Sequence, residues 1–587
     1  MRKIVVAIAA LAFSIEIIAQ VATPQLQFIK SVRQKGPVAY RDPFGSISPD
    51  GKLLAYSDRK QIIVQQIVGG ATFELEKHGS FVITLTWLPD SQHIVTYEIG
   101  GEKNYWYKYD LATKRGIPLW MNNNEFQDGI ISIGRSDLRD LCWSADGMQV
   151  AGISKKNGKA QLWLMDSNGA NEKIASEKEM IESISWNPSA NGFAGIVEEN
   201  KQRFIQLNLS NSKSEKIKTD SYGPIAFSPD GQFLYFSQAN EKKVVDLQQY
   251  NLKTKSKTQL ASFSRDSYAP SVAKDGSVLF RLQDYRVFIA AVNGDGGESK
   301  PITTFMSEIS HWHQNGKLLS FTYGNWRRVM DDMKYPHIAQ DIGYINFDFN
   351  KPADKPDVVV RASYSEDQGM CWSPNNKWIA FHTHADGTDD IWIQPNNDAS
   401  KVRPLSTGGH ETGWPRWSPD GKWIASNTAH NTDRINKLFI IGIDQETGKP
   451  TSEEIEILPP GLEEGIITDS QWMNDSKTLV VEYVVNPELK EIHLVPIDGS
   501  KGRKIHSFKS DQLYSGIALS HDQKWVAYIA PDTKGNFQLF KVGIDNGEVK
   551  QVTFDATDKA HPAASPIENI FSFTVFNFES IFWLIKP

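Results

Sequence analysis

Only two cysteines occur in 587 residues, Cys142 and Cys371, and two thiols cannot build a disulfide framework. Each directly precedes a tryptophan, in Cys142-Trp143-Ser144 and Cys371-Trp372-Ser373. They hold the same place in two different repeats, so they are expected to be buried free thiols acting as small hydrophobes. No block of Lys or Arg stands out, the net charge is −7 and the pI is near 6.1. A nucleic-acid-binding surface, which needs a basic stripe, is therefore not expected. Low-complexity tracts are absent, and no stretch beyond the N-terminus is apolar enough to span a membrane. Catalytic signatures are missing too. There is no Gly-x-Ser-x-Gly elbow, P-loop or EF-hand spacing, and His410-Glu411-Thr412-Gly413-Trp414 begins like a zincin motif but lacks the second His.

The N-terminus reads as an export signal. Arg2 and Lys3 form a basic region, Ile4 to Ile15 an apolar one, and Ile17-Ile18-Ala19 a cleavage site before Gln20. Residues 1–19 are thus expected to be a signal peptide, which puts the mature chain in the periplasm or outside the cell. The alternative is an uncleaved anchor over Ile4 to Ala22, with Glu16 tolerated inside it.

What the chain does contain is a repeat. An aromatic residue or Ala is followed by Ser-Pro-Asp-Gly or a worn version, then by a short apolar strand. Clean copies are Ser48-Pro49-Asp50-Gly51, Ser228-Pro229-Asp230-Gly231 and Trp417-Ser418-Pro419-Asp420-Gly421. Weaker ones begin at Trp87, Trp143, Trp186, Ala273, His313, Trp372, Trp472, Leu519 and Ala564, giving twelve copies. A spacing of roughly 40 to 60 residues signals a solenoid, propeller or array. Pro presets φ for the first corner of the turn, Asp caps the backbone, and Gly or Asn takes positive φ. Four short antiparallel strands per repeat, with no helical periodicity between them, describe a propeller blade.

On these motifs the chain resembles the TolB-like, WD40-like PD40 repeat β-propeller family from about residue 40 onward. It also resembles the propellers that precede the hydrolase of prolyl-oligopeptidase-type peptidases, although no hydrolase motif follows here. The expected fold is all-β. Propellers close with four to eight blades, so twelve repeats imply two propellers of about six four-stranded blades each. The expected domains are 25–305 and 306–587, with a seam near Met306. The final repeat stops one strand short, and Leu26 to Val32 is a spare strand at the start. Pairing these two would protect both edges and would place the first strand in the C-terminal ring.

Candidate chemistry lies in the second half, which holds eleven of the thirteen histidines. His384, Asp386, His410, Glu411 and His430 share one expected blade face and have the ligand types for a divalent metal such as Zn, Mn or Fe. Exposed loop histidines without a metal are the plainer alternative. A long insertion adds Trp326, Arg327 and Arg328, which with Trp414 and Arg434 would anchor a protein or ligand. The double Arg alternatively pairs with Asp331 and Asp332.

The resemblance implies an exported scaffold that binds an envelope protein or a polysaccharide. The chain lacks the N-terminal α/β domain that TolB carries, so a part in the Tol system itself does not follow. Two other readings remain open. One is a metal-dependent polysaccharide lyase or hydrolase on the second propeller, since pectate-degrading lyases with related propellers use histidines and a metal. The other is the sensory ectodomain of a membrane-anchored regulator.

Overall fold

The computed structural model describes residues 25–34 and 45–586 apart from short breaks, of which 100–104, 120–140, 208–214, 240–244, 262–265, 325–327, 330–336, 362–366, 384–389, 406–409, 431–435 and 511–514 are the longer. The expected signal peptide lies outside the described residues. Among those described, no helix is long and apolar enough to cross a membrane.

Six copies of the repeated motif make the same hydrogen-bonded knot. In the first copy, Ser48 Oγ donates to Asp50 Oδ1 at 2.5 Å and accepts the Leu53 N–H at 2.9 Å. Asp50 Oδ1 also accepts the Lys52 N–H at 3.1 Å. The same three bonds recur around Ser144, Ser228, Ser373, Ser418 and Ser520, with Asn375 replacing Asp once. The residue after the Asp is left-handed throughout. It is glycine at Gly51, Gly147, Gly231 and Gly421, the residue that adopts this conformation without steric cost.

Where that residue is not glycine, its side chain has another use. Ser91 Oγ accepts the Asp50 N–H, Ser476 Oγ the Asp420 N–H, and Gln523 Oε1 the Asn474 N–H, each at 3.0 Å. Each bond ties one repeat to the turn of the repeat before it. The tryptophan ahead of the turn does the same on the inside: Trp87 Nε1 donates to the Ser46 carbonyl at 2.9 Å, and Trp472 Nε1 to that of Arg416 at 3.0 Å.

Among the described residues these repeats build ten four-stranded antiparallel sheets, one six-stranded sheet and one two-stranded ribbon. Such a set of four-stranded meanders is a β-propeller architecture. The chain forms two compact units: residues 1–33, 40–284 and 579–587 in the first, and 34–39 and 285–578 in the second. The expected seam was 305/306. The break instead falls inside the continuous strand Val278–Asn293, and a second break falls inside Ile570–Lys586.

In the first unit, Gln25–Gln34 pairs with the end of Ile570–Lys586, so the expected pairing of the chain's first and last strands is present. Its consequence is the reverse of the one expected, because the tail joins the first unit. The reason is apolar packing: Ile29 and Val32 cluster with Phe582, Leu584, Ile47, Leu54 and Leu279. Phe28 adds an edge-on contact to Trp583 at 5.7 Å.

In the second unit, the innermost strands are Ser307–Trp312, Asp367–Trp372, His410–Trp417, Ile466–Trp472, Ile517–Leu519 and Asp558–Ala564. Each packs beside the next, and the last returns to the first. The closure is polar and tight. Ser310 Oγ meets Ser572 Oγ at 2.9 Å, Trp312 Nε1 donates to Ser572 Oγ at 3.0 Å, and the Ile309 N–H donates to Thr574 Oγ1 at 3.0 Å. The long insertion expected in this unit interrupts its first sheet, where Arg328–Val329 pairs with His337–Ile338.

Deleting residues 25–34 is expected to lower the melting temperature of the first unit, since the tail strand loses its partner and its apolar cover. Calorimetry of the full chain and the deletion checks this, and an identical melting profile contradicts it.

Candidate functional site

The innermost strands of the second unit share a defect. Their pairing slips between Glu308 and His311, Gln368 and Cys371, Gly413 and Arg416, Ile467 and Asp469, and Ala560 and Ala563. A bulge of this kind re-aims side chains at the rim of a site. Counting three residues back from the position before each turn gives one equivalent set: Ile309, Gly369, Trp414, Asp469, Gly516 and His561.

Five of the six are left-handed. Glycine takes this freely at Gly369 (φ 62°) and Gly516 (φ 78°), but Ile309 (55°), Trp414 (58°) and His561 (48°) are forced into it. Each such residue costs about 1–3 kcal/mol of strain and is a pointer to function. In the first unit, the left-handed non-glycine residues among those described are Ser91, Lys114, Asn171 and Lys255, all between strands.

All of the set but Gly369 line a cavity of about 30 Å³, together with Ser310, His311, Arg416, Thr468 and Pro562. That volume holds one or two waters. Trp414 is half-buried, with its ring 5.9 Å from that of His561 and tilted by 31°. Gly369 makes room for it, since a Cβ there would lie 3.2 Å from Trp414 Cε3.

Arg416 is the charged centre. Its Nη2 donates to Asp469 Oδ1 at 3.2 Å, and its Nη1 donates to the Pro415 carbonyl at 3.2 Å and lies 3.5 Å from His311 Nε2. Asp469 is fixed in turn by the N–H groups of Ile517 (2.9 Å) and Ser470 (2.8 Å). Arg416 Nε and His561 Nδ1 are buried with no hydrogen-bond partner.

Below this layer, Thr468 Oγ1 donates to Glu482 at 2.6 Å, and Glu482 pairs with Lys490 at 3.1 Å, both under 2% exposed. Ser515 links the two, accepting from Lys490 and donating to Glu482, both at 2.7 Å. The Ser515 carbonyl accepts the His561 N–H at 2.8 Å, which sets the position of the imidazole.

Burial and then the Arg416 charge pull the His561 ring from 6.5 down to about 4, and burial with Arg416 and His561 holds His311 well below its ordinary value. Both imidazoles are neutral near pH 7. Burial pushes the Asp469 carboxyl up, against the pull of Arg416 and the Ile517 N–H. Burial also pushes the Cys371 thiol up to about 12, which leaves it protonated and unreactive. Cys142, expected to be buried, is half-buried instead.

The residues expected from sequence are placed as follows. Trp414 lines the cavity. Arg328 sits in the short strand Arg328–Val329, while Trp326, Arg327 and Arg434 lie outside the described residues. His384 and Asp386 also lie outside them. His410 and His430 are direct cross-strand partners, and Glu411 faces Ala429. Among the described residues, no group of three or more His, Cys, Asp or Glu could hold a metal ion. His311, Arg416, Asp469 and His561 were not anticipated. Asp469 and His561 lie three residues before the last inner residue of their repeats, whereas His311 and Arg416 directly precede it, at Trp312 and Trp417.

No protein-family profile and no curated protein matches this chain. Solved structures similar to it include the tricorn protease, at 12% identity and TM-score 0.29, over 86% of this chain and 62% of that one. The chain thus spans less than two thirds of that protein's length. Others are a chain of the nidogen/laminin complex (8% identity, TM-score 0.29, 36% of this chain and 77% of that one) and the Myceliophteria thermophila Cps50 (Swd1) β-propeller domain (13%, 0.30, 61% and 97%). The propeller architecture rests on the sheets themselves.

His561 is held in a strained backbone with an unpartnered nitrogen, so it works against stability. Replacing it by glycine is expected to leave the melting temperature at pH 7 unchanged or to raise it, the relief of about 1–3 kcal/mol offsetting the lost ring contacts. The pH dependence has a definite sign. The unfolded chain takes up the His561 proton first, so the stability owed to the neutral ring is complete above about 6.5 and is lost as pH falls through about 4. Thermal unfolding of His561→Gly should therefore fall less steeply over that window than wild type. A large loss of stability at pH 7, or an unchanged acid slope, would contradict this.

Proposed function

We propose that the protein is an exported double propeller, two TolB-like rings of six blades, that serves as a protein- or ligand-binding scaffold of the cell envelope. The ten four-stranded sheets, and a six-stranded sheet whose two long strands serve both units, support twelve blades. The basic and apolar N-terminal stretch supports export. An envelope protein or a polysaccharide suits such a scaffold as partner.

One observation carries the binding role: three non-glycine residues are strained into the axial position of the second unit, and two of them, Trp414 and His561, bring their rings together beside an arginine. A purely structural ring would use glycine at that place, as at Gly369 and Gly516. Native mass spectrometry of the full chain purified from its own source tests this reading. A bound species lost on Trp414→Ala but kept on Met148→Ala, an exposed change in the first unit, is expected. Equal occupancy in both variants, or none in wild type, would overturn it.

A second reading, a metal-dependent lyase or hydrolase, draws on the facing pair His410 and His430. On that reading millimolar Zn or Mn raises the melting temperature of wild type but not of His410→Ala/His430→Ala. No shift in either removes the metal.

A further inference from the structure

We propose that the axial cavity of the second unit is a carboxylate site, in which Arg416, His311 and His561 hold one carboxylate group against the face of Trp414. The inference rests on the binding role proposed above and adds the chemical class of what is bound.

The donors decide the sign of the ligand's charge. A guanidinium has five N–H donors and no acceptor. Arg416 spends one on Asp469 and one on the Pro415 carbonyl, keeps a long 3.5 Å contact to His311, and leaves Nε without a partner. Asp469 is itself held by two backbone N–H groups, so it aims the guanidinium while much of its own charge is already met. A metal ion is unsuited here, because the arginine occupies the space next to the His311 nitrogen that a cation would take. His561 Nδ1 is a second buried polar atom with no partner, in the ring that lies 5.9 Å from that of Trp414. Buried polar atoms of this kind call for a water, an ion or a ligand.

Size narrows the class. Room for one or two waters suits the two oxygens of a carboxylate better than the four of a phosphate or sulfate. Arginine pairs with carboxylate in a planar, charge-assisted geometry, and the flat indole of Trp414 beside the cavity suits a planar head group. The backbone is the independent witness. Ile309, Trp414 and His561 are held left-handed around this cavity, and preorganisation of a ligand clamp is a known use of such strain.

The carboxylate could belong to a free small acid or to the acidic side chain or C-terminus of a partner chain. Calorimetric titration of the full chain at constant ionic strength separates these, using acetate, inorganic phosphate, and a short glycine-ended peptide as free acid and as amide. Saturable one-to-one binding of acetate without competition by phosphate is expected. Affinity should drop roughly tenfold or more in His561→Asn and in Arg416→Gln/Asp469→Asn, a pair chosen so that no buried charge is left alone. A free-acid peptide that binds more tightly than acetate, with no binding by its amide, assigns the carboxylate to a partner chain. Equal affinity for acetate and free acid assigns it to a small acid. Acetate binding unchanged in both variants, preference for phosphate, or no saturable binding in folded protein would overturn the proposal. A native occupant that lacks a carboxylate would overturn it too, while leaving the binding role intact.

Discussion

The axial strands of the second unit depend on one backbone constraint. To run beside its neighbours and still reach the turn, four of the six strands slip register across the residue three before the position ahead of the turn, and five of six take positive φ there. Glycine meets this demand without cost, and Gly369 and Gly516 use it. Ile309, Trp414 and His561 do not, and their side chains are the ones delivered to the axis. The bulge thus converts a feature of ring geometry into a way of placing large groups around a small space.

The surrounding structure holds that arrangement. Turn knots at Ser373, Ser418 and Ser520 fix where those inner strands end, and Trp472 anchors its repeat to the Arg416 carbonyl of the previous one. That bond fixes the backbone of the residue at the centre of the cavity. Serine and threonine pairs close the ring between Ile309–Trp312 and Ser572–Thr574. Beneath the axis, the buried Glu482–Lys490 pair is satisfied by Thr468 and Ser515. A buried pair of this kind contributes little net stability, but breaking it costs about 3–5 kcal/mol, so it fixes geometry more than it stabilises.

Much of the architecture was legible in the sequence, because Ser-Pro-Asp-Gly is turn chemistry and turn chemistry is local. The position of Ser48, Asp50 and Gly51 in a hydrogen-bonded knot follows from those side chains alone. The boundary between the units was not legible in the same way. It falls within Val278–Asn293, a continuous strand with no Gly or Pro to mark a break, and the tail's return to the first unit is decided by non-local packing of Phe582 and Leu584. The site was half legible. Trp414 was legible as an aromatic anchor for a partner. Arg416, His311 and His561 looked like ordinary strand residues, because a bulge that brings residues 105 and 145 positions from Arg416 to one axis leaves no mark within any single repeat.

The measurement that bears most directly on this account is a high-resolution crystal structure of the full chain grown with acetate, read at the axis of the second unit. The account predicts left-handed backbone at Ile309, Trp414 and His561, with planar density bridging Arg416 and His561. Extended backbone at those residues, or an arginine and imidazole satisfied by the protein itself with no density between them, would contradict it.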